Sequence, residues 1–439
     1  MLKLKFTYKV LTALILLLLL LLIFQGPEFN NSNFFKEHIK PTVKTIVLPI
    51  LNSLKGLSVS PKEFDIYLKK KSLRRIRSIR DQAIKDGFFI ENKGKYFPGK
   101  LEYDDEDYKI KIRLKGDLTD HLQGIKWSYR IKVLKNKLVN NMASFSIQHP
   151  NTRNFIYEWI FHKALKREGL IALDYDFISV NINDEDFGVY AMEEHFNDQV
   201  LKKNNRKPGP ILKFSEEWQW KEAYERRMDN ISYDEIFEKT FFKSQITGFH
   251  LNEIFKDSIK NEQYLYAVKM LESFRKGVLN TSEVFDIDQL AKFYALCDVL
   301  GAQHATAWRN ARYYFNNSTQ KLEPIGYDGN AGEYIEKIIG HKQTVASDSI
   351  VDTLNNYHLL LFKDLSFRST YNEYLYLYSD PSYIEDLLTE CEGEMKGHLE
   401  LISSEFPRFT FRREVFDKNK ERIRTALSSG GVLMDLQQE

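Results

Sequence analysis

Between His304 and Asn330 two short apolar runs, Tyr313 to Phe315 and Leu322 to Ile325, flank the polar run Asn316, Asn317, Ser318, Thr319. Strand-length apolar runs joined by turn-forming residues specify a β-hairpin. The outer ends of an antiparallel ribbon meet, so Asn310, ahead of the first strand, and Asp328, just past the second, come to the same end. An amide and a carboxylate placed there either cap a turn or form an oxygen site for Mg²⁺, which takes few protein ligands and leaves positions for phosphate. His304, entering the first strand, is either a packed ring or a group that titrates near neutrality.

A chain of 439 residues that is 43% hydrophobic can bury a large core and fits one big bilobal domain or two domains. Its net charge of +2 argues against a global polyelectrolyte partner such as nucleic acid. Two cysteines, Cys297 and Cys391, exclude a cysteine-built zinc site and a disulfide framework, and whether they pair is not deducible from sequence. At the start, Lys3, Lys5 and Lys9 precede an apolar run from Val10 to Phe24 broken only by Thr12. No small-residue cleavage site follows it. The expectation is an uncleaved transmembrane anchor over residues 1–25, with a cleaved secretory signal as the alternative. The leading lysines would keep the N-terminus in the cytoplasm, making a single-pass membrane protein with its main domain outside. Residues 26–61 read as a stalk.

From Lys62 a strongly basic segment has apolar residues at helical spacing and a stop at Gly87. Next come two alternating strands. In the first, Lys109, Lys111, Arg113 and Lys115 oppose Tyr108, Ile110, Ile112 and Leu114; in the second, Ser128, Arg130 and Lys132 oppose Trp127, Tyr129, Ile131 and Val133. Their basic faces are either the wet side of an antiparallel sheet or a surface for phosphates. A helix over Asn151 to Gly169 precedes a second strand pair, Phe177 to Ile182 and Gly188 to Met192, after which Glu194 reads as a helix-start carboxylate. Gly209 to Phe214 is a short strand carrying Lys213. Residues 216–302 are helical in pattern, and the helix from Asp286 to Leu300 carries Asp298, a candidate catalytic carboxylate. Further helices span Leu359 to Leu377 and Ile384 to Phe406.

Three motifs, in one order, resemble the spore-coat CotH kinase family of atypical protein kinases. They are IRLKGDLTDHLQGIKWSYRIKV, NINDEDFGVYAMEEHFN, and HATAWRNARYYFN followed by KLEPIGYDG. The resemblance implies an α+β, bilobal atypical protein-kinase-like fold. A small antiparallel-sheet N-lobe (62–215) would face a helical C-lobe (216–439) containing a metal-binding hairpin (310–328), with ATP between them. It also implies Mg²⁺ on Asn310 and Asp328, nucleotide contacts from Lys115, Lys132, Arg113 and Lys213, and Glu194 as a lysine partner or metal ligand. The function implied is ATP- and Mg²⁺-dependent phosphotransfer to an envelope or surface acceptor, a protein or another polymer. Many relatives carry an Asp shortly before the Asn, but here Gln303, His304 and Ala305 stand there. His304 is then the candidate base, or Asp298 if the helix end folds back. The alternative from another class is a non-catalytic envelope or surface protein that uses the fold as a binding scaffold.

Overall fold

The structure, a computed structural model, describes residues 52, 61–89, 94–226, 241–340 and 356–428. The chain clusters into two units, residues 1–59 with 400–410 and residues 60–399 with 411–439, and the barrel, the second sheet and the candidate site all belong to the larger of them. Seven strands, β1 (Glu63–Leu68), β2 (Phe97–Tyr103), β3 (Glu106–Leu114), β4 (Tyr129–Val133), β5 (Ser144–Gln148), β6 (Tyr175–Ile182) and β7 (Glu185–Glu194), form a closed barrel. Their order around it is β1-β2-β3-β4-β5-β7-β6. Pairing is antiparallel except at the seam, where β1 lies parallel to β6.

The alternation of β3 and β4 decides what fills the barrel. Ile110, Ile112, Leu114, Tyr129 and Ile131 join Phe64, Ile66, Phe145, Ile147, Ile178, Val180, Tyr190 and Met192 in one buried core. Every other residue therefore points outward. Helix α1 (Lys70–Asp86) adds Ile76 and Ala83 to that core and stops at Gly87, whose φ of 79° is left-handed.

A second sheet is built from β8 (Ile211–Phe214), β9 (Ile246–Gly248), β10 (Arg312–Asn316) and β11 (Lys321–Pro324), in the order β11-β10-β8-β9. The hairpin of β10 and β11 turns at residues 317–320, and β10 also pairs with β8, which pairs with β9. The helices that frame the site are α2 (Ile156–Arg167), α3 (Ile287–Val299) and α4 (Leu365–Tyr378), the last packed along α3.

Two expectations are corrected by this architecture. The bilobal kinase-like fold with a small antiparallel sheet gives way to a closed, mixed barrel beside a four-stranded sheet. The cause is the segment Glu63–Leu68: it precedes the basic helix as a strand of its own, and its parallel ladder to β6 removes both sheet edges. The membrane anchor and the single-pass placement also find no support, since no helix among the described residues is long and apolar enough to cross a membrane. The run from Val10 to Phe24 and nearly all of the expected stalk lie outside the described residues, as does the tail at Gly430 and Gly431.

Candidate functional site

The outer face of the barrel carries a row of side chains in register across five strands. Arg113 on β3 pairs with Arg130 on β4, Arg130 with Ser146 on β5, Ser146 with Glu193 on β7, and Glu193 with Tyr175 on β6. Lys115 follows Arg113 by two residues and so shares this face. Its Nζ donates to Gln148 Oε1 at 2.8 Å and to Glu193 Oε2 at 3.0 Å, with both partners buried. Burial pulls the Lys115 ammonium down to about 8 although Glu193 favours its charge. Glu193 is fully enclosed, but Lys115 and Arg153 outweigh that burial and hold its carboxylate below the ordinary value.

Arg130 is the unsatisfied member of the row. It is 5% exposed, and neither its Nε nor its Nη1 has a hydrogen-bond partner among the described residues. Burial and the nearby Arg113 pull its guanidinium below the ordinary value. Lys213 on β8, paired in register with Arg312 on β10, is driven to about 8 by burial and by that arginine. Its Nζ lies 5.5 Å from the centre of the Phe249 ring. An open groove of about 740 Å³ borders this region, lined by Lys132, Ser144, His195, Ile211, Phe249 and Lys260 among others.

The end of the hairpin supplies the acidic half of the site. Asp328, at φ 56°, sets Oδ1 3.0 Å from Arg153 Nε and 3.2 Å from His304 Nδ1. Burial opposes this charge, yet Arg153 and His304 hold the carboxyl well below the usual range. His304 Nδ1 lies 2.8 Å from the Asp328 carbonyl oxygen, and Asn310 Nδ2 donates to the His304 carbonyl at 2.9 Å. His304 thus links Asn310 to Asp328. Burial opposes a proton on His304, but the Asp328 carboxylate and carbonyl prevail and raise its pKa. The two halves of the site are electrostatically joined, because Lys115 feels Arg130 and Arg153 while Asp328 feels Lys115.

Helix α2 braces the acidic half from behind. Glu158 accepts from the backbone N–H of Gly329 at 2.9 Å and of Ala331 at 3.4 Å, fixing the loop that follows Asp328. Burial raises Glu158 to about 7 against the pull of Arg153.

Of the residues expected from sequence, Lys115, Asn310, Asp328 and His304 gather here. Arg113 and Lys132 stand nearer the rim, each over the Tyr96 ring, and Lys132 is exposed. Lys213 approaches from the second sheet. Glu194 is turned away: it meets Lys203 Nζ at 2.8 Å and accepts from the Asp174 N–H, while its neighbour Glu193 partners the lysine. A one-residue step along a strand reverses the face, which is the physical reason for that correction. Asp298 is also committed elsewhere. It is fully buried, accepting from Gln303 Nε2, the Ile339 N–H and the Tyr371 hydroxyl, so it fastens the end of α3 to a loop and to α4.

The site residues missed from sequence are Arg153, Glu158, His162 and Glu193. Arg130 sits in the same alternation as Lys132 and was legible as a basic-face residue. Glu158 and His162 are four residues apart on one helix, a spacing that places both on one face. Neither a family model nor a curated protein matches the chain, so the site rests on its own geometry and on the three motifs.

Proposed function

We propose that this face binds the phosphates of a nucleoside triphosphate together with Mg²⁺ and transfers the terminal phosphoryl group to a hydroxyl acceptor. The supporting observation is Arg130, a buried guanidinium with two unpartnered nitrogens among the described residues. A buried, unpaired cation is costly, and a phosphate oxygen is the natural partner for a guanidinium fork. Lys115, held by Glu193 and Gln148, and Lys213 add charge toward the same ligand. The motif resemblance to the CotH family supports the same assignment.

Asn310 and Asp328 would hold Mg²⁺, with an amide oxygen and a carboxylate suited to a hard cation. Bound Mg²⁺ supplies charge neutralisation to the phosphates. Arg153 would share Asp328 with the cation, and it favours the ionised carboxylate. In the transfer step the acceptor oxygen bonds to the terminal phosphorus as the bond to the bridging oxygen breaks, and the hydroxyl proton passes to His304. Nδ1 of that ring is engaged by Asp328, leaving Nε2 to accept the proton.

A second reading, binding without transfer, is favoured by one fact: Asp298 is tied into the fold, so it cannot serve as the carboxylate base expected ahead of Asn310. Calorimetric titration of ATP with and without Mg²⁺, followed by a transfer assay, separates the two. Phosphoryl transfer is expected to require both, with Asp328→Ala abolishing the Mg²⁺ dependence and His304→Ala sparing binding. Wild-type ATP affinity in both Arg130→Met and Asp328→Ala would overturn the assignment, and tight Mg²⁺-dependent binding with no transfer would establish the second reading.

A further inference from the structure

Where α2 meets the Glu193 end of the charged row lies a cluster that takes no direct part in the proposed transfer reaction. Glu158 and His162 project from one face of α2 toward Glu193 on β7, and one donor atom from each lies within 4.8 Å of the other two. Glu158 Oε1 and His162 Nε2 are 3.8 Å apart. All three side chains are enclosed, with Glu158 and Glu193 at 0% exposure and His162 at 2%.

The second observation is an orphan set. Both ring nitrogens of His162 and Oε1 of Glu193 have no hydrogen-bond partner among the described residues. Unsatisfied polar atoms of a ring and a carboxylate in one buried cluster are costly unless something fills the gap. The His162 ring is held flat against Tyr175, with ring centres 5.7 Å apart and planes within 18°, so it cannot readily turn toward another partner.

We propose that Glu158, His162 and Glu193 form a binding site for a divalent first-row transition ion such as Zn²⁺, Mn²⁺ or Fe²⁺. One imidazole with two carboxylates suits those ions better than Mg²⁺ or Ca²⁺, which prefer oxygen alone. Ligand atoms about 2.1 Å from such an ion stand roughly 3–4 Å apart, so the observed spacing closes with small side-chain movements. Two carboxylates can balance the two charges of such an ion. Its position gives it a role. Glu193 would offer Oε1 to the ion while Oε2 keeps Lys115, and Glu158 would tie the ion to the loop of Gly329 and Ala331. The ion would thereby fix the lysine and the Asp328 loop relative to one another, as a positioning element that touches no phosphate.

The test uses the full chain, purified without chelator. Elemental analysis should find close to one transition ion per chain, and after chelation added Co²⁺ should restore one equivalent with a visible absorption band. His162→Gln, which keeps the polarity and approximate size of the side chain, should weaken Co²⁺ binding by more than about ten-fold and remove the band, while Asp328→Ala and Asn310→Ala keep both. That contrast separates this site from the proposed Mg²⁺ site. Absence of bound metal together with no Co²⁺ uptake by the wild-type chain would overturn the proposal, and so would unchanged Co²⁺ binding in both His162→Gln and Glu193→Gln.

Discussion

Arg130 makes the proposed function testable through stability as well as binding. If it is held for a ligand, its burial without a partner costs the free protein stability, because an unpaired charge loses its water and gains nothing in exchange. Arg130→Met should therefore raise resistance to urea by about 1–3 kcal/mol while weakening nucleotide affinity. A loss of stability in that variant would instead mark a structural arginine. Lys213 gives a second residue-scale prediction, with its sign fixed by linkage. Its folded pKa of about 8 lies below the unfolded value of about 10.4. Between those values the unfolded chain keeps a proton that the folded chain has lost, so this residue makes stability rise with pH across the window. A phosphate beside it favours the charged form. Nucleotide binding near pH 8.5 should then take up protons, measured as a buffer-dependent calorimetric enthalpy, and Lys213→Met should remove part of that uptake. Equal uptake in wild type and variant would place Lys213 away from the phosphates. Legibility at this scale followed local pattern. Asn310 and Asp328 were readable because hairpin ends meet, and Lys115 because strands alternate. Glu193 was missed by one residue, and Arg153 could not be found, since its pairing with Asp328 joins segments 175 positions apart in sequence through tertiary packing alone.

At the scale of elements, α3 and the hairpin were legible from apolar spacing and turn residues, but the loop that joins them to Asp328 depends on close packing that no pattern announces. Gly301, just after α3, has φ 62°, and a Cβ there would lie 1.9 Å from the Glu333 carbonyl oxygen. The backbone crosses at this point, with the Gly332 N–H donating to the Leu300 carbonyl at 2.8 Å. Only a residue without a side chain allows that approach. Gly301→Ala combines a left-handed conformation with a backbone clash, so it should destabilise by more than about 2 kcal/mol. Because the displaced segment continues from Asp328 and Gly329, nucleotide affinity should fall as well. Chemical denaturation and calorimetry check the two effects, and an alanine variant with wild-type stability would show that the crossing is looser than this geometry requires.

At the scale of the whole molecule, the barrel separates what holds the fold from the charged face proposed to bind a ligand. Apolar side chains fill its interior, and the charged row lies on the opposite side of the same strands. This division was half visible in sequence: the alternation of β3 and β4 gave both faces, whereas the closure was hidden because β1 finds its partner β6 more than a hundred residues later. Contacts of such long range carry no local signature. The seam is secured by Phe64, which is fully buried with its ring 4.9 Å from Tyr103 and 5.7 Å from Phe145. It is strengthened by Asn181, whose amide donates to Glu63 and Asp65, and by Asn183, which bonds both the N–H and the carbonyl of Leu68. Phe64→Ala leaves a cavity inside the barrel and should cost about 3–5 kcal/mol in urea denaturation. The residues of the charged row project from the other surface of the strands, so nucleotide affinity at 25 °C should stay within about two-fold wherever the variant remains folded. A fall in affinity matching the lost stability would mean that the outer face depends on interior packing, and that barrel and site form a single cooperative element.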